Sequence, residues 1–222
     1  MAQSETVQRI LDAAEQLFVE RGFSETSLRL ITSKAKVNLA AVNYHFGSKN
    51  ALVQAVLSRV LTPFSRRLEQ ALDQRDARGQ RDASVDELLE LLVGLAVQAK
   101  GRGEELSAFV RLVGLAFTEA QGELQDYLGF RYGPVFRRYM ALFQSALPGL
   151  SRLELYWRLY FVLGAATFTL SGNRGLHTAM ESRFGTALSL ESLIQLMLPF
   201  LGSGLHAPAT RLELLSAASL ES

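Results

Sequence analysis

Apolar residues recur at helical spacing along almost the whole of this chain, and nowhere do they alternate convincingly with polar ones. Val7, Ile10, Leu11, Ala14, Leu17 and Phe18 follow the i, i+3, i+4, i+7 pattern, and Gly22 is placed to end that helix in a left-handed cap. Thr26 or Ser27 can cap a short second helix running to about Ala35. A tight turn at 36–38 then leads into a third helix over 39–45. Gly47 breaks the chain, and Ser48 caps a long fourth helix reaching about Leu72, which Pro63 is placed to bend or interrupt. Residues 73–83 are charged and poor in apolar side chains, which predicts a loop. Beyond it the patterns over 85–99, 104–120, 123–146, 151–171 and 189–205 predict five further helices, separated at 101–103, 121–122, 148–149 and 172–188. Residues 207–222 are expected to form a poorly ordered tail. With no internal repeat and no low-complexity tract, the chain reads as all-α.

Of the 222 residues 48% are apolar, enough for a sizeable core. The absence of cysteine excludes disulfides, a thiolate nucleophile and any cysteine-ligated metal. The three histidines, His45, His177 and His206, lie in no metal-binding spacing. Neither a metal nor a cofactor is implied, and no nucleophile–base pair suggests an enzyme. The first residues run straight into an amphipathic pattern rather than a signal peptide, and the longest uncharged apolar stretch, between Arg158 and Arg174, is too short to span a bilayer. The expectation is a soluble cytoplasmic protein with no membrane partner.

Net charge is only +1, but its distribution is uneven. Five acids (Glu5, Asp12, Glu15, Glu20, Glu25) face two arginines in the first 25 residues. From Thr26 to Leu68 there is no acid, while Arg29, Lys34, Lys36, Lys49, Arg59, Arg66 and Arg67 supply seven positive charges. Such a segment is either a solvated basic face or the electrostatic footprint of a polyanion-binding surface.

Two short helices joined by a tight turn inside that segment make a helix-turn-helix candidate. Val42 and Phe46, with Ile31 and Val37, would form its small core. That leaves Leu39, Ala40, Ala41, Asn43 and Tyr44 toward the outside. Small Ala40 and Ala41 permit close approach to a groove, Asn43 offers a donor and an acceptor to an adenine edge, and Leu39 can touch a thymine methyl. Arg29 can reach a guanine edge or a phosphate. Ser48 and Lys49 open a helix whose free N–H groups and lysine charge suit a backbone phosphate, although Ser48 could equally be only a cap. His45, beside Phe46, reads as a packing histidine.

The segments R-I-L-D-A-A-E-Q-L-F-x-E-R-G-F (Arg9–Phe23), T-S-L-R-L-I (Thr26–Ile31) and V-N-L-A-A-V-N-Y-H-F-G-S-K-N-A-L (Val37–Leu52) together resemble the DNA-binding domain of the TetR family. With V-F-R-R-Y-M (Val135–Met140) and L-G-A-A (Leu163–Ala166), the chain more narrowly resembles the PsrA-type branch of fatty-acid-responsive regulators. The resemblance implies a helix-turn-helix domain over 4–64 and a helical ligand-binding and dimerisation domain over 65–206. It places Arg29, Leu39, Ala41, Asn43 and Tyr44 at DNA-facing positions, with Lys49 as the phosphate-binding lysine; Thr26, Ser27, Asn38 and Ser48 are further DNA-binding candidates beside them. Two positions depart from the family pattern. Glycine is usual where Lys36 stands, and a left-handed lysine costs about 1 kcal/mol. Tyrosine is usual at Asn43; here Tyr44 follows it on a different side of the helix, so the tyrosine's role does not transfer directly.

The later helices are apolar around much of their circumference, as in 107–117 and 159–170, so each must be buried by core, by ligand or by a second subunit. The resemblance implies a homodimer joined by the last two long helices and a pocket among the middle ones. Gly164, Ala165, Phe168, Leu193, Leu196, Met197 and Phe200 are the dimer candidates; the same stripe could be intramolecular core. Phe109, Phe117, Phe136, Trp157 and Phe161 could line the pocket or be core aromatics. Arg111 and Arg158 stand in apolar helices. Each must meet an anion, a ligand head group or a carboxylate such as Glu104, Glu105, Glu119 or Glu154, unless it reaches solvent.

By resemblance the protein is a repressor of fatty-acid metabolism genes, released from a palindromic double-stranded DNA operator by a long-chain fatty acid or acyl thioester. A multidrug-responsive repressor would need buried Glu or Asp for lipophilic cations, whereas the acids here cluster near helix ends. A helical lipid carrier without specific DNA binding is the competitor from another class.

Overall fold

The computed structural model describes residues 2–80, 82–100, 104–171 and 174–210, and no strand occurs among them. The first unit comprises α1 (Ala2–Arg21), α2 (Leu28–Ala35) and α3 (Leu39–Phe46), packed against the start of α4 (Lys49–Ala77). The apolar stripe of α1 supplies Ile10, Ala14 and Phe18, all fully buried, against Ile31, Val42, Leu52 and Val56 from the other three helices. Phe23 meets Phe18 edge-on at 5.1 Å. Val37 and Phe46 close the edge of this core, half-buried.

Each junction is held by the residue type its geometry requires. Gly22 takes φ +87 and donates its N–H to the Phe18 carbonyl at 2.8 Å, ending α1 as expected. Ser27, not Thr26, caps α2, its hydroxyl accepting from the Leu30 N–H. Asn38 and Ser48 cap α3 and α4 in the same way, through the N–H groups of Ala41 and Ala51. Each such cap contributes about 1 kcal/mol. Lys36 ends α2 with φ 53 and ψ 47, the left-handed conformation anticipated at that position.

Helix α4 runs through Pro63 and past Leu72 to Ala77, so part of the expected loop is helical. One buried face, from Leu52 through Val60 and Phe64 to Leu72, is continuous along its length, and tertiary packing overrides the missing proline N–H. Arg138 holds the exposed extension by donating to Asp73 and Asp76, each at 2.8 Å.

The second unit contains α5 (Val85–Lys100), α6 (Glu104–Thr118), α7 (Glu123–Ala146), α8 (Arg152–Leu170), α9 (Arg174–Phe184) and α10 (Leu190–His206). Helix α5 packs on α4, α6, α7 and α10, while α8 lies between α6 and α10. The seam between α4 and α7 carries hydroxyl pairs: Tyr127 with Ser58 at 2.5 Å, and Tyr132 with Thr62 at 2.9 Å. Tyr139 donates to the buried Leu88 carbonyl, and burial pushes its hydroxyl pKa far above the ordinary value. Helix α9 lies where only a connection was expected. The expected breaks at 101–103 and 172–173, and the tail beyond Thr210, lie outside the described residues. Residues 207–210 are tied to α8 rather than loose, through Arg158 and Glu154.

Candidate nucleic-acid interface

Helix α3 presents to solvent the side chains expected to meet DNA. Leu39 is 42% and Tyr44 75% exposed, and Ala40 and Asn43 are exposed with them, while Val42 turns inward. Such exposure is unusual for large apolar and aromatic side chains in the first unit of the fold, where nearly every other one is covered. Ala41 is half-buried, and Ser27, Arg29 and Asn38 are exposed at the edges of the same surface. Asn38 and Ser48 each use their side-chain oxygen as a helix cap. Caps of this kind leave the N-terminal turns of α3 and α4 electrostatically suited to phosphate.

Thr26 does not belong to this surface. Its side chain is fully buried, and its hydroxyl donates to the carbonyls of Gly22 at 2.7 Å and Leu17 at 3.2 Å. Its role is to close the α1–α2 corner.

The acid-free segment is only partly a free basic face. The acids of α1 reach across: Lys34 pairs with Glu20 at 3.4 Å, and Arg59 with Asp12 at 2.6 Å and with Glu15. Burial lowers the Arg59 pKa, but the hydrogen bonds it donates to Glu15 and Asp12 outweigh that and raise the value. Lys49, half-buried, donates from Nζ to the Ser24 carbonyl at 3.1 Å. Arg29 and Lys36 remain exposed beside α3.

Two family profiles match this chain. Residues 10–56 match "Bacterial regulatory proteins, tetR family", and residues 90–204 match "Tetracyclin repressor-like, C-terminal domain". The chain belongs to the TetR family. Within the family it is similar to the HTH-type transcriptional repressor Rv3405c of Mycobacterium tuberculosis (strain ATCC 25618 / H37Rv), with 47% identity over 64 residues, 29% of this chain and 34% of that protein. It is also similar to the probable HTH-type transcriptional regulator YttP of Bacillus subtilis (strain 168), with 30% identity over 87 residues, 39% and 42% of the two chains. These alignments span less than half of each curated relative. Among solved structures, a TetR-like transcriptional regulator from Rhodococcus sp. RHA1 superposes with a TM-score of 0.51 at 21% identity, covering 91% of this chain and 96% of that one. An HlyIIR mutant gives 0.52 at 17% identity, covering 88% and 94%. Both show a shared fold.

In this TetR-family chain the expected pocket residues divide into two groups. Phe109 is buried against Phe64 at 5.3 Å, and Phe136, half-buried, stacks on Phe64 at 6.4 Å. Phe117, Trp157 and Phe161 instead stand on the outer surface, 55–66% exposed; Tyr160 joins Phe117 to Trp157, and Trp157 meets Phe161. They cannot line an interior pocket of one chain.

Arg158 is likewise engaged elsewhere. Nη2 pairs with Glu154 at 2.7 Å and donates to the Pro208 carbonyl, while Nη1 donates to the carbonyls of Gly204, Leu205 and Ala207. It caps the end of α10, with both terminal nitrogens engaged by the protein. Glu154 also accepts from the Thr210 N–H at 2.9 Å; that bond, then the Arg158 pair, holds its carboxyl below the ordinary glutamate value. The i, i+4 spacing of Glu154 and Arg158 was the signal in the sequence. Arg111 is different: half-buried, its Nε is shielded from solvent and has no partner.

Of the dimer candidates, Gly164, Phe168, Leu196 and Phe200 are exposed on adjoining faces of α8 and α10. Ala165 and Leu193 are half-buried at the edge of that face. Met197 points inward, 9% exposed, and is core. No helix is long and apolar enough to cross a membrane, and no group of potential metal ligands occurs among the described residues.

Proposed function

We propose that this protein is a homodimeric, DNA-binding transcription repressor released from a palindromic operator by an apolar small molecule. The observation that carries the reading is the outward presentation of Leu39, Asn43 and Tyr44 on α3 between Arg29, Lys36 and Lys49. A short helix with small residues and an asparagine on its free face suits the major groove, and its cationic border suits the phosphates. Ser27, Asn38, Ala41 and Ser48 complete the contact surface.

The second subunit covers the apolar face of α8 and α10. Phe161, Phe168, Leu196 and Phe200 are each more than 60% exposed there, and Gly164 among them permits close helix approach. Two half-sites then multiply the modest specificity of one helix-turn-helix.

The ligand is a long-chain fatty acid or its thioester, taken between α4, α6 and α7 beside Phe64, Phe109 and Phe136. Supporting this are the sequence resemblance to fatty-acid-responsive regulators and the unpartnered Nε of Arg111, which suits an anionic head group. A receptor for lipophilic cations lacks support, because the one buried acid among the described residues, Glu154, already holds Arg158 and Thr210. Release requires that the ligand bind the DNA-incompetent arrangement more tightly.

The test is fluorescence anisotropy on a duplex from the gene's own upstream region, titrated with palmitate after complex formation. Specific binding reversed by palmitate, but not by a short-chain acid, is expected. Specific binding untouched by palmitate would remove the fatty-acid reading, and equal binding to a scrambled duplex would remove the operator.

A further inference from the structure

We infer that Glu119 is a positioning residue for Lys49, acting through Ser24 across the junction of the two units. The inference rests on the proposed reading of Lys49 as a phosphate contact.

Glu119 follows the last turn of α6, its N–H still bonded to the Leu115 carbonyl at 2.8 Å. A carboxylate there opposes the helix dipole, so its place calls for a compensating contact. The contact is Ser24, in the turn between α1 and α2. Oε2 of Glu119 accepts both the Ser24 N–H at 2.9 Å and the Ser24 hydroxyl at 3.0 Å. On its other side, the carbonyl of Ser24 accepts from Lys49 Nζ at 3.1 Å. Ser24 is thus held from α6 by its donors and from the start of α4 by its acceptor.

The neighbouring turn is shaped around the carboxylate. A Cβ on Gly22 would lie 2.5 Å from Glu119 Oε1, and Gly22 also has φ +87. Glycine is needed there for its conformation, and any side chain would oblige the carboxylate to shift. Charge-assisted hydrogen bonds are the stronger class, so the pair made by Glu119 reinforces the turn's own backbone bonds where they leave Ser24 free. The Ser24 carbonyl in turn fixes the arc through which the Lys49 ammonium swings. A shift of the end of α6 therefore re-aims Lys49 without any movement of α4.

The experiment is a double-mutant cycle on the full chain, read by anisotropy on the upstream duplex over a range of salt. Removing an acid by itself strengthens binding to a polyanion. Glu119→Ala is nevertheless expected to weaken specific binding, by about fivefold, the size of one well-placed hydrogen bond. Ser24→Ala, which deletes only the hydroxyl arm, should weaken it less and serves where Glu119→Ala folds poorly. Lys49→Ala should lower the salt slope by about one. The inference predicts that the effects of Glu119→Ala and Ser24→Ala vanish in the Lys49→Ala background. The same fractional loss in both backgrounds, or a gain in binding with Glu119→Ala, overturns it while leaving Lys49 as a phosphate contact. An unchanged affinity and salt slope for Lys49→Ala overturns both readings.

Discussion

Lys36 is the one non-glycine residue with positive φ among the described residues, and it sits beside α3 with its side chain exposed. Its backbone favours glycine while its charge favours the phosphate surface, so the two demands conflict. Lys36→Gly should raise unfolding stability by up to about 1 kcal/mol in urea titrations and weaken DNA binding at low salt. A loss of stability would contradict the strain argument. Asn43→Ala, scored against a set of duplexes with single base changes, should flatten preference at one base pair; a uniform loss across all sequences would make Asn43 a backbone contact instead. Part of this surface was legible because caps and left-handed corners depend on neighbours in sequence: Gly22, Ser27 and Ser48 take the roles their local chemistry dictates, whereas the corner at Lys36 was implied only by the family's usual glycine and the cap made by Asn38 was not read. Thr26 was not legible. A hydroxyl beside a cap can satisfy a buried corner as well as a phosphate, and only the position of the Leu17 and Gly22 carbonyls decides between them. Ser24 and Glu119 escaped for a related reason, being 95 residues apart; the only clue was an acid at the wrong end of a helix.

Among the elements, the bond between α8 and the end of α10 is the most exacting. Arg158 serves Glu154 and four carbonyls at once, and it is 8% exposed. Arg158→Ala should therefore cost about 3 kcal/mol, because it leaves a covered carboxylate and helix-end carbonyls without a donor. Thermal unfolding measures this, and a change within error would mean that water replaces the guanidinium. Glu154 makes the same bond sensitive to acid. Its folded-state pKa lies below the ordinary value of 4.5, so its contribution is complete above that value and lost as pH falls through the depressed one. The melting-temperature gap between the parent and Glu154→Gln should accordingly shrink on acidification from about pH 7 to about pH 3; a constant gap would show that the bond does not depend on ionisation. The long periodic helices were readable to within a few residues, since each buries one face. Helix α9 was not, because Met180 and Phe184 are at least half exposed, and the surrounding glycines and polar residues resemble a connection. The overrun of α4 was hidden by charge: residues 73–77 look like a loop until Arg138, far along the chain, is placed over Asp73 and Asp76.

For the whole molecule, the face made by α8 and α10 predicts assembly. Phe168→Glu should place a charge at its centre and weaken association by roughly 2 kcal/mol or more. Sedimentation should then show monomer at concentrations where the parent is dimeric, with operator affinity falling toward that of random duplex. A Phe168→Glu protein that remains dimeric would move the interface elsewhere. This part of the sequence reading was the least complete, since apolar spacing alone does not tell inside from outside; Met197 turns to the core while Leu196, one residue away, faces solvent. Helix α4 crosses from one unit to the other as a single rod with Pro63 within it. From Pro63 to Lys49 is fourteen residues, about 21 Å of helix. A tilt of about 5° at the proline would carry Lys49 sideways by about 2 Å, and in a symmetric pair the two displacements add. Half-sites one turn of duplex apart tolerate little of that. In the proposed dimer, the position of one imino acid would thus set a gear ratio: how few degrees at the middle of the molecule suffice to take two reading heads out of step with the DNA.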